Sequence, residues 1–85
     1  MSYSVKLKRS AEKELDSLPE KTRNKIISVL LALKNPPLPP GVKKLQGREG
    51  YRIRVGNYRI LFTVTKTAKE IEIYSIAGRK DVYRL

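Results

Sequence analysis

The chain has 85 residues, and 19 Lys plus Arg against 8 Asp plus Glu give it a formal net charge of +11 at neutral pH. It contains no Cys, which excludes disulfides and thiolate metal sites. It also contains no His, so the commonest general base and metal ligand is missing. A chain of this length and composition predicts one domain, residues 1–85, with no metal and no cofactor.

The positive charge is concentrated in the second half, where residues 43–85 carry eleven basic and four acidic side chains. Such a field attracts phosphate backbones, anionic membranes or acidic proteins. The helical region has mixed charge, and no apolar run reaches the roughly 20 residues of a membrane helix. The N-terminus lacks the features of a signal peptide. We therefore expect a cytoplasmic protein that binds a polyanion such as RNA and has no membrane partner.

The first half predicts a strand followed by two helices. Residues 2–8 alternate, with Tyr3, Val5 and Leu7 on one face. Ser10 is the expected N-cap of a short helix that Pro19 ends. Its apolar stripe is Ala11, Leu15 and Leu18. A second helix is expected over residues 20–34, with the buried side formed by Ile26, Ile27, Leu30, Leu31 and Leu33. Four Pro within residues 35–41 then predict a stiff, extended connector.

Three strands follow. Residues 51–55 and 58–65 alternate around Gly56-Asn57, which is typical of a two-residue hairpin turn. A loop at 66–69 precedes a strand over 70–77, and residues 78–85 form a further short strand or an ordered coil. The predicted fold is α+β in the order β-α-α-β-β-β. A helical hairpin packs on one face of a small antiparallel sheet and leaves the other face open.

The turn at Gly56-Asn57 fixes the register of the first hairpin. The expected pairs are Val55 with Tyr58, Arg54 with Arg59, Ile53 with Ile60, and Tyr51 with Phe62. In the second hairpin we expect Val64 opposite Ile71 and Phe62 opposite Ile73 and, on the open face, Leu61 opposite Tyr74. The other apolar pairs, including the core aromatics Tyr51, Tyr58 and Phe62, lie on one face.

The open face then collects Arg52, Arg54 and Arg59. Like charges directly opposite each other destabilise a sheet by up to about 1 kcal/mol, and an anionic ligand would relieve that cost. Arg also suits phosphate, because its planar fork makes bidentate contacts. The simpler alternative is solubility or protection of a sheet edge. The clustering, together with Lys43, Lys44 and Arg48 just before it, favours a binding surface.

Two aromatic side chains remain outside the predicted core and could contact nucleic acid. Tyr74 and Tyr83 could each stack on a base or handle a proton. The acidic residues of the short helix are explained by its dipole and by solubility.

The order of elements resembles that of the RelE/ParE toxin superfamily, and so do three segments. These are residues 44–47 (KLQG), 51–62 (YRIRVGNYRILF) and 78–83 (GRKDVY). The RelE branch consists of toxins of toxin–antitoxin modules that cut messenger RNA in the ribosomal A site. Each is held inactive by an acidic antitoxin encoded beside it. The resemblance covers nearly the whole chain and implies a metal-independent endoribonuclease that cleaves by attack of the ribose 2′-hydroxyl.

The resemblance also implies roles for individual residues. Arg54, Arg59 and Arg79 would neutralise the scissile phosphate, and Tyr83 would stack on a base or transfer a proton. Together with the basic cluster and the aromatic residues noted above, this predicts that RNA is bound by Lys43, Lys44, Arg48, Arg52, Tyr74 and Lys80. Many relatives have His before the C-terminal Arg, where this chain has Gly78. Because Arg is a poor base, Lys80 and Tyr83 are the candidates for that role.

Two other functions remain open, one from the family resemblance and one from the net charge. A ParE-like toxin would bind and poison DNA gyrase without being an enzyme, although Arg59, Arg79 and Tyr83 argue for the RelE branch. The net charge alone would suffice for an RNA-binding module without activity. For a toxin, the expected partner is an acidic, partly disordered antitoxin. It would wrap the helices and cover or displace the basic surface, folding as it binds.

Overall fold

The computed structural model describes residues 2–35, 39–47 and 49–78. Two helices, α1 (Arg9–Asp16) and α2 (Glu20–Ala32), pack on one face of a five-stranded mixed sheet. The strands are β1 (Ser4–Leu7), β2 (Lys43–Lys44), β3 (Tyr51–Val55), β4 (Tyr58–Thr65) and β5 (Glu70–Gly78). The predicted α+β class and one-sided arrangement are confirmed. Within the described ranges, no helix is long and apolar enough to cross a membrane.

The sheet has the strand order β1-β5-β4-β3-β2. β1 runs parallel to β5, with Val5 beside Ile71, and the other neighbours are antiparallel. The expectation of a purely antiparallel sheet was therefore wrong. The partner of the N-terminal strand is set by contacts across the whole chain, which local alternation does not reveal. β2 was also missed, because two residues are too few to show a period.

The first hairpin has the predicted register. Val55 pairs with Tyr58, and Arg54 lies opposite Arg59. Gly56 has φ +59°, a conformation that costs glycine little and that suits a two-residue hairpin turn. The remaining expected pairs, Ile53 with Ile60 and Tyr51 with Phe62, are also present. Because the side-chain period of a strand is two, this register sends every Arg of the hairpin to the face away from the helices.

A β-bulge interrupts the second hairpin. Val64 lies opposite Ile71 and Phe62 opposite Ile73, as expected. Leu61, however, pairs with Ser75 rather than Tyr74, so the Leu61–Tyr74 prediction was wrong. Tyr74 is the extra residue on β5, which shifts the face of every residue after it.

The core lies between the sheet and the helices. Its fully buried members are Ala11, Ile26, Leu33, Ile60, Phe62, Ile71 and Ile73. Tyr51 stacks on Phe62 with ring centroids 5.8 Å apart and an interplanar angle of 21°. Tyr51 and Tyr58 are half-buried against this cluster, which confirms their predicted place in the core.

Helix α1 begins earlier in the chain than the sequence predicts. The amide of Lys8 donates to the carbonyl of Ile73 at 2.8 Å, which continues the β1–β5 pairing, and the Lys8 carbonyl accepts the Glu12 amide at 2.9 Å. Lys8 is therefore the N-cap, and it makes no side-chain cap hydrogen bond. Ser10 lies inside the helix, so its prediction as the N-cap was wrong. The end of strand pairing, rather than a capping side chain, sets where the helix starts.

Helix α2 buries a narrower face than expected. Ile26, Leu30 and Leu33 are buried, whereas Ile27 is 37% exposed and Leu31 is 57% exposed. Each residue turns the helix by about 100°, so Ile27 and Leu31 lie on the side away from the sheet. The prediction that both are buried was wrong, because α2 packs against the sheet on one side only. They form an exposed apolar pair at i, i+4 spacing.

The predicted extended connector is described only in part, because residues 36–38 lie outside the described ranges. The Val42 amide donates to the Pro39 carbonyl at 3.4 Å, and Gly41 has φ +96°. Pro followed by a Gly with positive φ is the signature of a type II turn. The described end of this connector is therefore a turn, rather than extended chain.

Gly50 provides a test of the packing that leads into β3. It has φ +121°, and a methyl group there would lie 3.1 Å from the Phe62 carbonyl oxygen and 3.3 Å from Leu45 Cδ1. We expect Gly50→Ala to lower the free energy of unfolding by about 2–3 kcal/mol, as measured by urea denaturation. Gly47→Ala is the matched control, since Gly47 has φ +78° and a methyl group there would have no atom within 4 Å. Gly47→Ala should lower the free energy of unfolding by about 1–2 kcal/mol. Equal losses would contradict the steric argument.

Candidate nucleic-acid interface

The face of the sheet away from the helices carries two neighbouring rows of side chains. Lys43 on β2 pairs with Arg52 on β3, which pairs with Leu61 on β4 and, through it, with Ser75 on β5. In the adjacent row, Arg54 pairs with Arg59, which pairs with Ala77. Directly paired residues point to the same side of a sheet. We call the four cations of these rows, Lys43, Arg52, Arg54 and Arg59, the basic face.

The basic face is accessible, although its members are not equally exposed. Lys43 and Arg54 are exposed, whereas Arg52 and Arg59 are half-buried. Within the described part of the chain, none of these four cations forms a salt bridge with a carboxylate. Four positive charges therefore converge on one surface without internal compensation, which favours an external anion.

Arg54 and Arg59 form a directly paired set of like charges on this surface. They lie directly opposite each other in adjacent strands, where like charges repel. Arg keeps its proton at any working pH, so the pair cannot relieve the repulsion by losing a charge. Both guanidinium groups can make bidentate hydrogen bonds to phosphate. The arrangement is suited to hold a phosphate group and to stabilise additional negative charge on it.

The far corner of the same face has a different charge pattern. The Lys6 ammonium lies 2.8 Å from a carboxylate oxygen of Glu70, and Glu72 is the strand neighbour of Lys6. The hydrogen bond to Glu70, followed by its negative charge, raises the pKa of Lys6 above its ordinary value of 10.5. The carboxylates are thus gathered with Lys6 on β1 and β5, away from the basic face.

Tyr74 lies on the same side of the sheet, beside the basic face. It is the bulged residue of β5 and is half-buried. A methyl group on Gly50 would lie 3.4 Å from the Tyr74 hydroxyl oxygen, so the ring reaches across β4 toward the start of β3. The bulge and this contact fix Tyr74 next to the cations with which it was predicted to bind RNA.

The structure separates Lys44 from the other predicted contacts. Lys44 pairs with Tyr51, whose ring belongs to the helix side of the sheet. Lys44 therefore does not join the basic face, because neighbouring residues of a strand point to opposite sides. The other predicted site residues, Arg48, Arg79, Lys80 and Tyr83, lie outside the described residues.

Three neutral residues, Leu61, Ser75 and Ala77, share the surface with the cations. Leu61 was expected on this face, whereas Ser75 and Ala77, the small neighbour of Arg59, were not predicted there. Placing Ser75 and Ala77 requires the bulge. The sequence contains a signal for it, since the buried residues of β5 are spaced by two from Ile71 to Ile73 and by three from Ile73 to Ile76.

Comparison with known proteins places this geometry in a family. Residues 5–83 match the family described as ParE toxin of type II toxin–antitoxin system, parDE. A curated protein of Methanocaldococcus jannaschii, described as the toxin candidate RelE1, is 30% identical over an alignment of 88 positions, which covers 99% of this chain and 98% of that protein.

Solved structures show the same fold. The RelE of the archaeal RelE–RelB complex from Pyrococcus horikoshii is 31% identical with a TM-score of 0.83, and the match covers all of both chains. The RelB–RelE complex from Methanococcus jannaschii contains a chain that is 28% identical with a TM-score of 0.76, covering 92% of this chain and 94% of that one. The chain therefore belongs to the RelE/ParE superfamily of type II toxin–antitoxin toxins, and it fits the RelE-like branch.

Proposed function

We propose that this protein is a toxin that cleaves messenger RNA in the ribosomal A site. The observation that carries the proposal is the Arg54–Arg59 pair on a basic face that has no carboxylate partner in the described part of the chain. A sheet that needed only to fold would gain stability by losing one of these charges. A function that requires concentrated positive charge at a phosphate accounts for keeping both. Action at the ribosome would place the protein in the cytoplasm.

The reaction would be an internal displacement at phosphorus. The ribose 2′-hydroxyl oxygen attacks the phosphate, the bond to the 5′-oxygen breaks, and the products are a cyclic phosphate and a 5′-hydroxyl. Negative charge grows on the phosphate oxygens as the new bond forms. Arg54 and Arg59 are placed to stabilise that charge without rearranging, as fixed donors do most effectively. Arg79 is proposed to join them from the segment that follows β5.

Proton transfer is assigned to the C-terminal segment. The chain has no His, and its arginines remain protonated, so neither type of residue can accept the proton of the 2′-hydroxyl. Lys80 and Tyr83 are the candidates for the base, and Tyr83 could also stack on a base of the RNA. No metal ion is invoked. Among the described residues, no group of acidic side chains could hold one.

The partner proposed for the helical side is an antitoxin. The structures from Pyrococcus horikoshii and Methanococcus jannaschii are complexes of RelE with RelB. In this chain, α2 has exposed apolar side chains that such a partner could bury. Ile27 and Leu31 form an exposed apolar pair. Basic residues lie about one helical turn beyond each end of that pair, Arg23 before it and Lys34 after it. The chemistry fits an antitoxin segment with apolar side chains between acidic ones. Because α2 lies behind the sheet, a further part of the antitoxin must reach the basic face to block it.

A ParE-like gyrase poison is the second candidate, because the family model that matches is the ParE toxin. The two functions differ in what happens to RNA. A nuclease leaves new transcript 5′ ends within translated frames, whereas a gyrase poison leaves transcripts intact and induces the DNA-damage response.

Cleavage is tested by inducing the protein alone in a bacterial host and mapping transcript 5′ ends. We expect growth arrest with cuts in translated frames. Arg59→Ala should reduce cutting by at least about 100-fold, the cost of losing one donor to a developing negative charge. Combining Arg59→Ala with Tyr83→Phe should abolish it. Lys66→Gln is the control, since it removes one charge from the exposed loop after β4. Arrest without cuts would support gyrase instead, and no effect on growth or transcripts would support a binding module.

Because Arg54 and Arg59 repel each other, we expect a substitution that removes the charge of Arg59 to stabilise the fold while it impairs RNA cleavage. Arg59→Gln should raise the free energy of unfolding by some tenths of a kcal/mol, up to about 1 kcal/mol, in low salt. The gain should shrink as added salt screens the two charges. Urea denaturation at low and high ionic strength measures both effects. A destabilised variant at every salt concentration would show that Arg59 contributes more through packing than it costs through charge.

The proposed antitoxin surface is tested by calorimetry with the cognate antitoxin, which we expect to be an acidic protein. Ile27→Gln with Leu31→Gln should weaken the complex by about tenfold or more in calorimetry, because two buried apolar anchors are lost. The same toxin variant should still cut RNA. Ser28→Gln with Ala32→Gln is the matched control, since these positions are exposed on the same helix at the same spacing. Equal weakening by both pairs would contradict a docking site centred on Ile27 and Leu31.

A further inference from the structure

The two halves of β5 are supported differently on the side away from β4. As far as Ile73, β5 pairs with β1, and the last bond of that ladder is the Lys8 amide to the Ile73 carbonyl. At Arg9 the chain enters α1, so β1 offers no partner to the rest of β5. The backbone groups of β5 beyond Ile73 that point to this side need another partner.

Glu14 supplies that partner. Its carboxylate oxygen Oε1 accepts a hydrogen bond from the Ile76 amide at 3.1 Å, between residues 62 positions apart in the chain. Ala11 and Leu15 are buried on the same side of α1 and hold the helix against the sheet, and Glu14 itself is half-buried. Glu12 and Asp16 are exposed. The expectation that solubility and the helix dipole explain the acidic residues of α1 therefore does not extend to Glu14.

The bond to Ile76 lies just beyond the bulge. Ile76 is 2% exposed and pairs with Ile60, whereas the residues on either side of it, Ser75 and Ala77, face the other way. Without the bulge, Ile76 would pass to the open face and Ser75 to the core, because a shift of one residue exchanges the two faces. Glu14 thus holds the shifted register at the point where it places Ala77 beside Arg59.

We propose that Glu14 is a positioning residue for the site on the opposite face of the sheet. Its carboxylate fixes the end of β5, where Ala77 borders Arg59 and Gly78 leads to Arg79 in the chain. Glu14 lies on the helix side, so it acts through the backbone of β5 and does not touch RNA. The inference deepens the proposed nuclease function and rests on it for its consequence for activity. The hydrogen bond and register stand independently of that function.

The experiment compares Glu14→Ala, Glu14→Gln and Glu12→Ala with the wild type. Gln retains a side-chain oxygen that accepts a hydrogen bond, and Glu12→Ala removes the same charge from an exposed position of the same helix. Amide hydrogen exchange is followed by NMR at Ile76 and at Ala77, which pairs with Arg59, with Ile60 as the reference for global opening. RNA cleavage is measured on programmed ribosomes as kcat and KM.

In Glu14→Ala we expect exchange at Ile76 and Ala77 to rise at least about tenfold relative to Ile60. We expect kcat to fall about tenfold or more with KM changed less than about threefold, because small displacements of a catalytic group cost rate rather than binding. Glu14→Gln should restore most of both values, and Glu12→Ala should match the wild type.

Several results would overturn the proposal. Unchanged exchange at Ile76 in Glu14→Ala would show that the hydrogen bond does not fix β5. Faster exchange with unchanged kcat would limit Glu14 to a structural role. If Glu14→Gln restored neither the amide exchange nor kcat, the effect of Glu14→Ala would come from the lost charge rather than from the lost hydrogen bond. A wild type that does not cut RNA overturns the nuclease proposal separately, and the exchange data then decide alone whether Glu14 fixes the end of β5.

Discussion

The parallel pairing of β1 with β5 is the contact on which the rest of this small domain depends. It joins the first element of the chain to the last described one, with Val5 beside Ile71 and Leu7 beside Ile73. Because β1 leads straight into α1, the same contact sets where that helix begins and brings it against the end of β5. The long closed loop between these strands is costly in chain entropy, and burial of the isoleucines of β5 under the helices offsets that cost.

Because side chains alternate along a strand, the sheet has apolar residues on its helix side and arginines on its open face. Its helix side holds Ile53, Ile60 and Phe62, and the alternating positions of the same strands hold Arg52, Arg54 and Arg59. Packing on one side therefore fixes the positions of the charges on the other. The opposed Arg pair is a cost to the folded state, and the proposed binding of phosphate would account for it. Packing on the helix side therefore fixes the strands that carry the proposed site, so the site does not need contacts among its own side chains to hold its shape.

The bulge at Tyr74 connects the fold to the proposed function. It lets Ile71, Ile73 and Ile76 all face the core, although they do not share a single alternation. It also turns Tyr74 toward Gly50 and places Ala77 next to Arg59. A bulge re-aims side chains at the expense of one regular pair. Just beyond it, on the side of β5 where β1 has ended, the Glu14 carboxylate accepts a hydrogen bond from the Ile76 amide.

The sequence by itself determined the order of the main elements, the first hairpin and its register, and the collection of Arg52, Arg54 and Arg59 on one face. Each of these follows from local rules, namely alternation, a Gly-first turn, and the charge of neighbouring residues. Only the tertiary structure decided the parallel partner of β1, the bulge opposite Leu61, the exposure of Ile27 and Leu31, the separation of Lys44 from the basic face, and the hydrogen bond between Ile76 and Glu14. These features depend on which distant elements meet. A local pattern records the side chains that can be buried, whereas contacts between segments far apart in the chain decide which are.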